Sequence, residues 1–244
     1  MNPTLLILRL EGPMQSWGLR GKWVVRDSGD LPSKSGIVGM IGCALGYRRN
    51  DPRLVDEIER QIRMAVREEN PGIRVKDFHT IQGVFIRADG VRKGSKDDPY
   101  TEVSYRTYLQ DASFLVVIEG PDALIRKIHD ALEDPRWPIY LGRKSCPPTR
   151  PVVEEITQQY ESLSDAIRKY PWSASTLEIR MTTLRKNDDL KPQRLHCVVE
   201  DASGKHTQTD RMEINPARMY GIRHVEEFDI AMPSKEESSC TSQG

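Results

Sequence analysis

Apolar positions along this chain fall into blocks whose spacing changes from one block to the next. Residues 5–10 (LLILRL) are a nearly unbroken apolar run ending at Glu11-Gly12-Pro13, which predicts a strand closed by a turn. Residues 36–47 (GIVGMIGCALGY) are apolar and small, with Ser33 or Ser35 placed to cap them as a helix. Gly36, Gly39, Gly42 and Gly46 weaken such a helix by up to about 1 kcal/mol each against alanine, so the pattern predicts a helix backbone pressed closely on a sheet or a ligand. Asp51-Pro52 opens a second helical stretch to about residue 59. Ile62, Met64 and Val66 alternate with Arg63 and Arg67, as in a half-buried strand, and 73–86 reads as another strand. The polar tip 89–99 (DGVRKGSKDDP) leads back into β-forming residues at 102–108, which predicts a long hairpin over 79–108. A strongly apolar strand at 114–119 and an amphipathic helix at 121–132 follow, the latter with Leu124, Ile125, Ile128 and Leu132 on one face. A last strand is expected at 137–141, before the prolines at 147, 148 and 151.

Without the hairpin, this order is strand, helix, strand, strand, helix, strand. The expected fold class is therefore α+β: a ferredoxin-like or RRM-like βαββαβ domain over 1–150 with an inserted thumb hairpin. A smaller β-rich region should occupy 151–233, with strands at 177–184, 195–200 and 219–230, and the polar tail 234–244 should be frayed.

Charge narrows the class of partner. The 244 residues carry 36 Lys+Arg against 36 Asp+Glu, so a uniformly basic nucleic-acid-coating protein is excluded and any basic site must be local. No apolar run approaches the roughly 20 residues of a membrane helix, and the first ten residues lack the pattern of a signal peptide, so a cytoplasmic location is expected. Cys43, Cys146, Cys197 and Cys240 lie far apart without a C-x-x-C pair, and the five histidines show no H-E-x-x-H spacing. Neither a metal nor another cofactor is expected, and the thiols read as reduced and mostly buried.

Three segments could carry binding chemistry. The first holds Gln15, Trp17, Gly18, Arg20, Lys22 and Arg26, followed by Ser33-Lys34-Ser35-Gly36. A phosphate would find helix amides, hydroxyls and a lysine there, although an ordinary charged connection would look the same. The spacing does not fit G-x-x-x-x-G-K-[ST], which excludes a P-loop NTPase. The second is Tyr140 with Gly142-Arg143-Lys144-Ser145, where an aromatic and basic residues flank a glycine, equally a solvated turn. The third is the hairpin, where Tyr100, Tyr105 and Tyr108 interleave with Arg87, Arg92, Lys93, Lys96 and Arg106, against a counterweight of Asp89, Asp97, Asp98 and Glu102 that leaves a small positive excess. A further basic set, Arg211, Arg218 and Arg223 with Tyr220, reads as a salt-bridged surface. No nucleophile elbow or Ser/His/Asp grouping can be placed.

Together these segments are more specific. The blocks LRLEGPMQSWG (8–18), LPSKSGIVGMIGCALG (31–46), RTYLQDASFLV (106–116) and YLGRKSCPP (140–148) resemble the CRISPR-associated CasD family, the subunit that caps the 5′ handle of the crRNA in the type I-E Cascade complex. The resemblance covers the first 150 residues; beyond them it rests on Arg218-Met219-Tyr220. It implies a ferredoxin-like domain with a thumb, a grip on the crRNA 5′ handle, contacts with the CasC backbone and CasA large subunits, and access to target DNA through the assembled complex. It places the RNA surface on loop 12–18, turn 33–36, the thumb with Tyr105, Arg106 and Tyr108, and segment 142–145, with Arg218 from the C-terminal part. The acidic tip of the thumb departs from an RNA-binding surface and suits a protein neighbour. The alternative is a metal-independent endoribonuclease that processes precursor crRNA, for which Lys34, Tyr47 and His79 are the conceivable members.

Overall fold

The computed structural model describes residues 2–18, 21, 24–87, 89–173, 194–213 and 220–233. Arg20, Lys22, Arg218, the strand expected at 177–184 and the tail 234–244 lie outside them. The chain is mixed α+β and dominated by sheet. Its strands are β1 (Leu5–Glu11), β2 (Met14–Gln15), β3 (Val25–Arg26), β4 (Arg63–Asn70), β5 (Ile73–Gly83), β6 (Phe85–Ile86), β7 (Arg92–Lys93), β8 (Tyr100–Gln110), β9 (Ser113–Glu119), β10 (Val153–Thr157), β11 (Arg194–Glu200), β12 (His206–Met212) and β13 (Tyr220–Ala231). Its helices are α1 (Lys34–Ala44), α2 (Asp122–Glu133) and α3 (Leu163–Lys169), with a short π-helix at Leu54–Glu59.

The main sheet runs β10-β1-β9-β4-β11-β13-β12, with every neighbouring pair antiparallel. β1 is buried on both faces, which is why its sequence is a continuous apolar run rather than an alternation. Leu6, Leu8 and Leu10 pack with Ile37, Ile41, Ile125 and Ile128 of α1 and α2 on one face. Leu5 and Ile7 pack with Leu163, Ala166 and Ile167 of α3 on the other. Arg67, fully buried on the α3 side, donates from Nη1 to the carbonyls of Ile167 (2.8 Å) and Tyr170 (2.7 Å), and from Nε to Glu69 (2.8 Å). It thereby satisfies orphan carbonyls at the end of α3 and complements the helix dipole.

Three sequence expectations need correction. Segment 137–141 is a loop, not a strand: the Leu141 amide donates to Cys146 (2.7 Å) and its carbonyl accepts from Ser16 (3.1 Å), so its backbone is spent on local closure. The outer strand beside β1 is instead β10, beyond the prolines, and the sheet continues across 147–151 without a break. α3 was not anticipated, although Ser162 accepting from the Asp165 amide (3.1 Å) is a local capping signal.

The thumb is longer than 79–108. β5 and β8 pair from Ile73 opposite Gln110 to Gly83 opposite Tyr100. β2 and β3 line the other edge of β8 at its base.

Candidate nucleic-acid interface

Gln15, Ser16 and Trp17 are buried, not displayed. Gln15 Nε2 donates to the carbonyls of Leu10 (3.1 Å) and Ala112 (2.8 Å), and its Oε1 accepts from Trp17 Nε1 (3.0 Å). Ser16 Oγ donates to the Thr107 carbonyl (3.1 Å). A side chain on Gly36 would bring its Cβ within 2.8 Å of the Trp17 ring, so this helical glycine exists to receive the indole. Gly142, at φ +86°, lies so close to the Ser16 carbonyl that any Cβ would overlap it. The four sequence blocks at 8–18, 31–46, 106–116 and 140–148 therefore converge on one buried junction at the base of the thumb.

The helix N-terminus expected to hold a phosphate already holds an anion. Ser33 caps α1, its Oγ accepting from the Gly36 amide at 3.3 Å. The Lys34 amide donates to Asp210 Oδ2 at 2.7 Å, so a carboxylate from β12 occupies the positive end of the helix. Arg223 in turn grips Asp210 through Nε (2.7 Å) and Nη2 (3.0 Å). The Lys34 ammonium is equally committed, donating to Glu200 (2.8 Å) and the Ile62 carbonyl (2.9 Å), with Glu59 at 3.5 Å. Burial pushes the Glu59 carboxyl up to about 7 against the pull of Lys34. Lys34 therefore joins α1 to the C-terminal strands while Ser33 caps the helix, and both are buried; Ser35 is half-buried.

Arg143 also turns inward. Its guanidinium donates to the Thr107 (3.2 Å) and Arg26 (2.9 Å) carbonyls and stacks 4.7 Å over the ring of buried Tyr108. It stitches β8 to β3. Of the predicted site residues, Gln15, Trp17, Ser33, Lys34 and Tyr108 are thus buried structural parts and Arg143 is a clamp. Gly18, Arg26, Tyr105, Gly142, Lys144 and Ser145 are exposed, and Arg106 is half-exposed.

The strand register sorts what remains. Arg26 lies beside Arg106 across the parallel β3–β8 pair. Asp77, across from Arg106 on β5, is engaged by His79 Nε2 at 2.6 Å. Tyr105 faces the other side of the hairpin, with Phe78 at 5.5 Å between centroids and the Lys76 ammonium 4.7 Å over its ring. Arg26, Lys76, Arg106 and Lys144 make no ion pair among the described residues, whereas Arg74 is held by Asp27 and Asp30. Lys76 and Phe78 were missed by sequence reasoning; their even spacing with Tyr105 only becomes a pattern once the register is known.

Lys34, Tyr47 and His79 are not brought together. Lys34 opens α1, Tyr47 lies three residues past its end with its hydroxyl on Glu57 (2.9 Å), and His79 is on the thumb.

Comparison with known proteins gives consistent relatives. The family model described as CRISPR-associated protein (Cas_Cas5) matches residues 5–226. The CRISPR system Cascade subunit CasD of Escherichia coli (strain K12) is 37% identical over 160 residues, 60% of this chain and 68% of that protein. A chain in a solved structure described as a CRISPR RNA-guided surveillance complex is 31% identical with a TM-score of 0.71, covering 94% of this chain and 91% of its own. A crystal structure of a Cas protein is 29% identical with a TM-score of 0.64, covering 94% and 98%.

Proposed function

The chain belongs to the CRISPR-associated protein (Cas_Cas5) family, and on that premise we propose that it is a non-catalytic RNA-binding subunit of a type I-E CRISPR surveillance complex in cytoplasmic antiviral defence. In this reading its β1-α1-β4-β9-α2-β10 unit is a ferredoxin-like domain, supported by the strand order β10-β1-β9-β4 with α1 and α2 on one face. The subunit holds the crRNA 5′ handle at the base of the thumb, meets the CasC backbone and CasA large subunits, and reaches target DNA only through the assembled complex.

The observation that carries the RNA assignment is the lateral pair Arg26–Arg106, two cations in register on adjacent strands without ion-pair partners among the described residues. Like charges side by side on a sheet are destabilising, and a phosphate between them reverses the sign. Lys144 extends the charge, and on the opposite face of the hairpin Phe78 with Tyr105 offers ring surface to a base of a strand that wraps the thumb. The test is binding of single-stranded repeat RNA to the full chain. Arg26→Ala with Arg106→Ala should weaken binding about tenfold or more, as expected for losing two charge-assisted contacts. It should also lower the slope of log K against log salt by about 1.4, near 0.7 for each phosphate released. Arg143→Ala, by contrast, should lower thermal stability. Unchanged affinity and slope in the double variant would place the RNA elsewhere.

Cleavage through a 2′-OH needs a base and a cation assembled at one phosphate. The separation of Lys34, Tyr47 and His79 supports a subunit that keeps its RNA intact. Precursor repeat RNA incubated with the protein without metal should remain uncut. Site-specific cutting that is lost in His79→Ala would establish the endoribonuclease instead.

A further inference from the structure

Between β1, β10 and the two ends of α3 lies a cavity of about 290 Å³ that the handle assignment does not use. Its lining includes Arg9 of β1, Glu154 and Glu155 of β10, and the rings of Tyr160, Tyr170 and Trp172. Arg9 is 1% exposed, and its Nε donates to Glu154 at 3.0 Å. Its Nη1 has no hydrogen-bond partner, because Glu69 stands 3.8 Å away, beyond hydrogen-bond reach. Trp172 Nε1 is a second buried donor without a partner. Two orphaned N–H donors on one cavity carry a desolvation cost that a ligand with acceptor atoms removes. An acceptor stands on the same lining: Glu155 is exposed and receives the Tyr170 hydroxyl, and a carboxylate has lone pairs beyond that one bond. The walls are fixed from behind, since Arg67 holds the Tyr170 and Pro171 carbonyls at 2.7 and 3.4 Å.

The ion pairs set the charge of the ligand. The charged groups on the lining and those paired to them are Arg9, Arg67 and Arg150 against Glu69, Glu154 and Glu155, which cancel. An anion would meet the glutamates, and a cation would leave both donors orphaned. The ligand is therefore neutral, with acceptors on one edge and donors on another. Tyr160 and Tyr170, with ring centroids 6.3 Å apart, and Trp172 make it flat. The volume sits at the lower limit for small-molecule pockets, enough for one ring system, and no unpaired cation waits inside for a phosphate. We propose that the cavity takes a single guanine base turned out of single-stranded RNA, its sugar and phosphates remaining outside. Guanine alone of the four RNA bases places two acceptors, O6 and N7, beside two donors, N1–H and N2–H. Arginine is the common partner of the first edge, and a carboxylate fits the second. That the base arrives on RNA rests on the function proposed above; the pocket shares no residue with Arg26 and Arg106.

The test titrates the full chain with free nucleosides by calorimetry and then with two single-stranded RNAs that differ only in one guanine replaced by adenine. Guanosine should bind saturably and about tenfold more tightly than adenosine. Inosine, which lacks the N2 amino group, and 7-deazaguanosine, which lacks N7, should each lose about fivefold, as for one hydrogen bond. Glu155→Gln, at an exposed position, should remove most of the preference for guanosine over inosine, and Trp172→Phe should weaken guanosine while keeping a ring in place. The RNA with guanine should bind more tightly than its adenine twin, and Glu155→Gln should erase the difference. No saturable guanosine binding, or equal binding of guanosine and adenosine, overturns the proposal and leaves the cavity to water. Guanosine bound selectively while the two RNAs bind equally overturns the RNA source of the base. Failure of both RNAs to bind at all, with guanosine still held, refutes the handle reading and that source together, so the two failures are told apart.

Discussion

An Asp210→Ala variant is expected to unfold about 10–15 °C below the wild type at neutral pH. Asp210 is 2% exposed and holds three donors at once: the Lys34 amide, Arg223 Nε and Arg223 Nη2. Its removal strands the buried Arg223 guanidinium and reopens the positive end of α1. Breaking one partner of a buried ionic arrangement destabilises by roughly 3–5 kcal/mol, because the remaining charge keeps its desolvation cost without its attraction. For a chain of this size each kcal/mol moves the midpoint by about 2–4 °C. Arg223 retains Gln208 (2.6 Å) and lies 3.9 Å from Glu200, so part of the loss is recovered. Asp210→Asn keeps the shape and should fall between the two. Thermal melts and urea titrations give the comparison; a loss under about 1 kcal/mol for Asp210→Ala would mean that the helix end and Arg223 find other partners.

The second large effect is at Trp17. Replacing a buried tryptophan by alanine costs about 3–5 kcal/mol in transfer and cavity terms. Here it also leaves Gln15 Oε1 without its indole donor and empties the space that Gly36 makes for the ring. Trp17→Phe keeps most of the ring volume and loses only the hydrogen bond, for a cost nearer 1 kcal/mol. Chemical denaturation of the two variants separates packing from polar contact. If Trp17→Ala melts like the wild type and fails to bind RNA, the indole is a base-stacking platform rather than core.

β1, β9, α1 and α2 were legible because burial on two faces writes a continuous apolar run and burial on one face writes a 3.6-residue stripe. Ser33 as a cap was legible because capping is local. Gln15, Lys34 and Tyr108 were misread as surface residues because a polar side chain can be buried whenever its partners exist, and those partners are remote: Ala112 for Gln15, Glu200 for Lys34 and Arg143 for Tyr108. The four blocks resemble one family as a set, but their residue types suggest an RNA surface where much of their content is a buried junction at the base of the thumb. The Arg26–Arg106 pair needs a parallel strand contact between residues 80 apart, which no spacing rule encodes. β10 was hidden behind prolines, which can mark a turn before an edge strand as easily as a linker.

The α1 N-terminus and the carboxylate that fills it are 176 residues apart, and that separation acquires a meaning on the ribosome. Once residue 157 has emerged from the ribosome, β10, β1, β9 and β4 can all pair, and α1 can cap itself on Ser33. Asp210 arrives 53 residues later, on the order of 3–10 s at ordinary elongation rates. During that interval the leading amides of α1 form an open anion site, and free phosphate can compete for what Asp210 later takes. The β4 edge also lacks β11 until residues 194–200 are made and presents unpaired backbone to other nascent chains. The last third of the polypeptide thus acts, in time as well as in space, as the lock on a fold begun by the first.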